Sequence, residues 1–257
     1  MLSIGSGISP TITNMHNQTF YRFDGTDQHI TAHADTLSAL QARVNDTTCE
    51  FSISVWVKID SVSGSTFIFK FSESNDDNLI QLFYHNAHEE IRFAVKFAGG
   101  SAKVAKSGNN SGYEAGQDND GWIHIAGRFG YSTDKVVLWV NGALVNASEN
   151  NVAQTQTADA TFDTLEIMQH SSGSYWDGDV DQLAVYGRVL SDADIRTIYT
   201  AGVGGLDLTS STHVDNSNLI MYHRFEEKSG TVCINEAGTD STYVNAPTVV
   251  EHNGAFS

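Results

Sequence analysis

The sequence predicts an all-β protein, an antiparallel jelly-roll β-sandwich with one short helix. Three observations lead there. Apolar and polar residues alternate in many short runs, which is the period of strands with one buried face. The runs are separated by Gly, Asn, Asp and Ser, with 22 glycines and only two prolines in 257 residues. Such turns rely on residues that tolerate left-handed backbone or bond to their own main chain. A single segment follows the helical period, and the strand–helix–strand rhythm of a parallel sheet is missing.

Residues 1–18 are polar and rich in Gly, Ser and Thr, and read as an N-terminal arm. Phe51, Ile53, Val55, Val57 and Ile59 alternate with Ser52, Ser54, Trp56 and Lys58. Phe67, Phe69 and Phe71 repeat the pattern with Ile68 and Lys70 opposite, and Leu79 to Tyr84 is apolar on both faces apart from Gln81. Ile91, Phe93, Val95 and Phe97 alternate with Arg92, Ala94 and Lys96. Residues 99–121 read as a long loop, and Trp122 to Phe129 as the next strand. Asn141-Gly142 between Lys135–Val140 and Ala143–Val145 is a hairpin signal, because a type I′ turn needs positive φ at both positions. Leu165–Gln169 and Val180–Tyr186 add two strands.

The one expected helix starts at Ser191, where Asp194 three residues on resembles a capping box. Ile195, Ile198 and Tyr199 share a face, and Gly202 suits the C-terminal cap. After Gly205 the chain turns polar, then gives a strand at Leu219–Phe225 and an apolar stretch at Val232–Ile234. The division is therefore an arm at 1–18, a jelly-roll at 19–203, and a segment at 204–257. That last segment is expected either to complete the sandwich or to pack on a neighbouring subunit.

The formal net charge is −17, from 31 acidic and 14 basic residues. No basic stripe is present to meet phosphates, so nucleic acid is not an expected partner. No apolar run approaches the ~20 residues of a membrane span. The start from Met1 lacks a basic and apolar leader, which leads us to expect synthesis in a cytoplasm. Cys49 and Cys233 do not make a disulfide framework, and the sequence does not decide whether they pair.

Several motifs, in order, resemble a known family. Phe23-Asp24-Gly25 with His29-Ile30, and Phe51-Ser52-Ile53-Ser54-Val55-Trp56-Val57, are similar to the opening strands of laminin-G-like jelly-rolls of the concanavalin A-like lectin/glucanase superfamily. Trp122-Ile123-His124-Ile125-Ala126 and Val136 to Gly142 resemble its central pair, and Gly178 to Tyr199 its closing strand and helix. The likeness covers about residues 20–202 and implies fold more than function, since this superfold hosts many activities. The run Leu219 to Thr231 resembles a strand that normally opens such domains, yet here it comes last. A circular rearrangement, or a strand offered to the next copy, would explain it. Phage virion proteins of this type share that late strand. The resemblance thus implies a non-enzymatic virion surface protein, a capsid decoration or fibre component. Its partners would be a major capsid protein or copies of itself, with host-surface glycan contact. The alternative is a calcium-dependent carbohydrate-binding lectin-like module, and a glycoside hydrolase comes third.

Candidate site residues are few. Asp177, Asp179 and Asp181 alternate, which puts them on one strand face about 6–7 Å apart in succession. They could serve structure, a calcium ion with backbone carbonyls, or a glycosidase pair. Asp181 shares parity with Leu183 and Val185. The resemblance implies that Asp24 and Asp27 could join Asp179 and Asp181 at a calcium site; no other cofactor is expected. No catalytic residue is assigned, because the Glu-x-Asp-x-(x)-Glu strand of the superfamily's hydrolases is missing. Glu226-Glu227 and Glu89-Glu90 are adjacent pairs that would face opposite ways. His85 and His88 read as a solvated hairpin tip, and Trp56, Trp122 and Trp139 as packing. Tyr175 and Trp176 follow a Ser/Gly loop beside the Asp cluster and are the candidate glycan-stacking aromatics.

Overall fold

The computed structural model describes residues 19–44, 49–60, 64–97, 100–108, 121–130, 135–145, 152–153, 162–170 and 173–251. In chain order the strands begin with β1 (Thr19–Asp24), β2 (His29–Thr31), β3 (Glu50–Ile59), β4 (Thr66–Ser72), β5 (Leu79–His85), β6 (Glu90–Lys96) and β7 (Lys103–Lys106). They continue as β8 (Trp122–Gly130), β9 (Lys135–Val140), β10 (Ala143–Leu144), β11 (Val152–Ala153), β12 (Thr164–Ile167), β13 (Gln169–His170) and β14 (Ser174–Tyr175). The last are β15 (Asp177–Tyr186), β16 (Leu219–His223), β17 (Val232–Cys233), β18 (Ser241–Val244) and β19 (Thr248–Glu251). The helices are α1 (Ala34–Val44) and α2 (Asp192–Ala201).

Two antiparallel sheets form the sandwich. The first runs β10-β9-β8-β3-β15-β1-β19, with β11 on β9 and β16 on β15. The second runs β17-β18-β2-β12-β4-β5-β6-β7. Their inner faces meet in one core, where Ile53, Val55 and Val57 of β3 face Phe69, Phe71, Leu82 and Phe93 of the second sheet. Burying each such side chain stabilises the fold by about 1.5–3 kcal/mol. The turn after β9 has φ of 50° at Asn141 and 68° at Gly142, as a type I′ hairpin requires.

The outer face of the first sheet is closed. Trp139, Ala184 and Tyr186 pack there against Ile195 and Ile198 of α2 and against Leu208 and Val214. Ser191 and Asp194 form the reciprocal capping box, and Gly202 caps the C-terminus at φ 80°.

Three elements differ from expectation, and a fourth takes one of its two expected places. Helix α1 was not predicted, because only Leu37, Leu40 and Val44 meet the core, among alanines and polar residues. The expected loop at 99–121 contains β7, an edge strand on β6. β18 and β19 are short and polar in sequence, and pair with β2 and β1. The late strand, β16, pairs with β15 from Leu183–His223 to Tyr186–Leu219, inside its own chain. The arm at 1–18 lies outside the described residues. Cys49 and Cys233 are both buried and are not joined in a disulfide.

Candidate functional site

The residues singled out in the sequence do not converge. Trp176 is fully buried in the main core, so it is not an exposed stacking platform. Tyr175 is half-buried on β14, with its ring 6.0 Å from that of His29. Asp179 already has a partner: Arg22 Nε and Nη2 donate to its two oxygens at 2.7 and 2.9 Å. Asp24 and Asp27 are exposed on the turn after β1, where Asp24 Oδ1 accepts the Thr26 amide. Among the described residues no three His, Cys, Asp or Glu side chains gather in a metal-holding group. Of the four aspartates, Asp179 is thus engaged by Arg22 and Asp24 by its own turn.

Asp181 departs further. The register with β3 shifts between Asp181 and Ala184, and Gln182 is the extra residue, at φ 49°. A bulge reverses the parity of the residues after it. Leu183 and Val185 therefore point to the core, while Asp181 points the other way, beside Trp56 on β3. It is completely buried there, and neither oxygen has a partner in hydrogen-bond geometry. Burial, then the nearby Glu226 carboxylate, pushes its pKa well above the usual range; the Gln182 amide and Arg224 only moderate this.

An uncharged isostere at this position avoids that cost. Asp181→Asn is expected to raise stability at pH 8 by about 1–3 kcal/mol, because it removes the buried charge while keeping the shape, and each unit of pKa shift is about 1.4 kcal/mol. A group whose pKa is raised by folding stabilises below its unfolded pKa and destabilises as pH rises. The gain therefore shrinks on acidification and vanishes below about pH 4. Urea unfolding at both pH values checks this, and a loss of stability at pH 8 would contradict it.

A second bulge builds a different surface. On β4, Phe67 pairs with Phe83 of β5 but Phe69 pairs with Leu82, so Ile68 is the extra residue. Phe69 and Phe71 enter the core, whereas Phe67 turns to the outer face of the second sheet. There it stacks on Phe83 at 5.0 Å between ring centroids and 16° between planes. The His170 ring lies 4.4 Å away on its other side. His85 and His88 stack 5.0 Å apart beyond Phe83. The result is an apolar cluster across strands, with Phe83 buried and Phe67 half-buried, built from residues expected to be core or a solvated tip. The β13–β14 hairpin, which carries His170 and Tyr175, borders it beside β4.

Polar groups stand in the next cross-strand row. Glu166, Lys70 and Gln81 are register partners on β12, β4 and β5. Lys70 Nζ lies 2.9 Å from Asp76 Oδ1 and 3.6 Å from Glu166 Oε2. It also donates to His170 Nε2 at 3.3 Å, so that nitrogen is unprotonated. Burial and then Lys70 lower the basicity of His170; burial, Arg92 and His88 lower that of His85. Arg92 on β6 pairs with Glu90. An apolar strip flanked by fixed donors and acceptors suits a ligand with CH faces and hydroxyl edges.

The two antiparallel sheets define a jelly-roll sandwich. The model of the Laminin_G_3 family, of the concanavalin A-like lectin/glucanases superfamily, matches residues 24–196, and the chain belongs to that family. A search of curated proteins finds no match. Among solved structures, the chain is similar to a Bacteroides ovatus protein to which carbohydrate binding is provisionally ascribed. That match has 14% identity, a TM-score of 0.59, and covers 93% of this chain but only 61% of the other. The chain is also similar to the CBM40 of the Ruminococcus gnavus IT-sialidase, at 15% identity and a TM-score of 0.52, over 72% of this chain and 99% of that one. A SAP-like pentraxin from Limulus polyphemus matches at 12% identity and a TM-score of 0.51, over 91% and 94%. At these identities the likeness is one of fold.

Proposed function

We propose that this chain is a non-catalytic carbohydrate-binding module that holds its glycan on the outer face of the second sheet. The observation that carries the reading is the Phe67–Phe83 strip beside the Lys70–Gln81 row. A pyranose has an apolar CH face and a rim of hydroxyls, and such a surface offers both kinds of contact. The carboxylates on this face each lie against a cation, Glu166 against Lys70 and Glu90 against Arg92. That suits positioning better than proton transfer. The fold relatives include the R. gnavus CBM40, a structure of which is described as bound to α2,3 sialyllactose; this adds support by analogy of fold alone.

The test is a glycan array followed by titration calorimetry on the hits. Phe67→Ala is the informative variant, because Phe67 packs outside the main core and its loss leaves that core intact. Truncating a central aromatic contact typically costs about 2 kcal/mol or more, so binding is expected to weaken at least about 30-fold while the melting curve stays near wild type. Unchanged affinity would remove this face from the reading, and silence across the array would remove the reading itself.

A further inference from the structure

The charge on this face runs against that of the whole chain. The protein has 31 acidic and 14 basic residues. Yet strands β4 to β7 present four cations to it, Lys70, Arg92, Lys96 and Lys106, against the carboxylates Glu90 and, from β12, Glu166; Lys103 is opposite the core residue Val95 and so belongs to the other face. The cations are not equally engaged. Lys70 meets Asp76 and Glu166, Arg92 meets Glu90, and Lys96 Nζ donates to the Asp76 carbonyl at 2.8 Å. Lys103 and Lys106 form no ion pair among the described residues. Among the described residues, positive charge is therefore balanced at the β4 side and not paired at the β7 edge.

Register ties this charge to the strip. Phe67 is opposite Phe83, Phe83 opposite Arg92, and Arg92 opposite Lys106. One cross-strand row thus passes from two stacked rings to two cations. Side chains in such a row project to one face of the sheet. From Phe67 to Arg92 is two strand spacings, about 10 Å, which a disaccharide can bridge. Ala94 and Val104, small and apolar, form the next pair on the same two strands and leave the cations standing above them. Lysine on an edge strand also serves against aggregation. That accounts for Lys103 but not for Arg92 one strand further in, aligned with the rings.

We infer that the glycan held on this face is anionic, a sugar bearing carboxylate or sulfate groups, with its ring against the half-buried Phe67 and its negative group at Arg92 and Lys106. The inference rests on the carbohydrate-binding reading and adds the ligand's charge to it. Arg92 is committed to Glu90, so Lys106 at the edge is the cation whose change tests the site with least effect on the fold.

The experiment titrates wild type with three sets of oligosaccharides: uronate-bearing, sulfated, and neutral of equal length. It is repeated at low and high salt. We expect binding to one or both anionic sets, weakened several-fold by salt because exposed charge contacts are screened. Lys106→Gln should weaken it about two- to five-fold, as for a partly exposed ion pair. Lys106→Glu should weaken it at least tenfold through added repulsion, while Lys228→Glu, on an exposed distant loop, leaves it unchanged. The first two sets show which anion is recognised. Salt-insensitive binding to neutral sugars that Phe67→Ala abolishes would overturn the inference and leave the carbohydrate reading standing. Anionic binding indifferent to both Lys106 variants would overturn it too. No binding in any set would overturn both.

Discussion

Gly178→Ala is expected to abolish the fold or cost it more than about 3 kcal/mol, the scale of backbone strain combined with a forced steric shift. Gly178 lies in the middle of the first sheet, paired with Phe23 of β1 on one side and Ile59 of β3 on the other. Its φ is 141°, a conformation that L-residues rarely adopt. A Cβ there would sit 2.0 Å from the Lys58 carbonyl oxygen and 3.1 Å from the Asp60 nitrogen. Both are backbone atoms, so relief requires β3 and β15 to separate. Separation breaks a pairing that continues through Asp179, Val180 and Asp181. Gly173→Ala is the control, since φ is also positive, at 83°, but nothing lies within 4 Å. It should cost only about 1 kcal/mol. Soluble yield and urea unfolding of the two variants measure the difference. Equal stabilities would show that β15 tolerates a side chain that the geometry forbids.

Gly178 also explains why an acidic motif resembled a cation site. In Asp177-Gly178-Asp179, the glycine admits the Lys58 carbonyl and Asp179 anchors Arg22 on β1. The motif joins three strands, and the Asp179 carboxylate is committed to that. The strand succession, the Asn141-Gly142 hairpin and the α2 caps were legible in the sequence, because each depends on local pattern. Two bulges were not. Period-two alternation assumes unbroken pleating, and the extra residue at Ile68 or Gln182 reverses every later assignment of inside and outside. The first bulge hid Phe67 among core phenylalanines, and with it the aromatic strip. The second sent Asp181 away from the parity of Leu183. Composition could have hinted at the cationic face, since β4 to β7 have one acid among five cations. The cross-strand alignment of Phe83, Arg92 and Lys106 depends on register, which one strand's sequence does not contain.

Acidification from pH 6.5 to 4.5 is expected to destabilise the protein chiefly through two histidines away from the Phe67–Phe83 pair. His124 on β8 and His223 on β16 are both fully buried. His124 Nε2 lies 2.9 Å from Ser54 Oγ, and its Nδ1 has no partner. His223 Nδ1 lies 2.8 Å from the Ile234 carbonyl and Nε2 3.3 Å from Ser241 Oγ. Burial lowers the first pKa to about 3 and the second to about 4. Unfolded, both would take a proton near pH 6.5. A depressed folded pKa means that the unfolded state binds more protons below that pH, so stability falls as pH falls. Each histidine then costs the fold about 1.4 kcal/mol per pH unit, or roughly 5 kcal/mol for the pair across this window. Asp181 works in the opposite direction, because its raised pKa makes the folded state the proton acceptor. The wild-type slope should therefore be shallower than that of two histidines, and Asp181→Asn should restore the full slope. His124→Gln or His223→Gln in the Asp181→Asn background should each remove about half of it. Urea midpoints across the window supply the measurement, and a flat profile in Asp181→Asn would refute the assignment. Neither histidine forms a ring contact with Phe67 or Phe83.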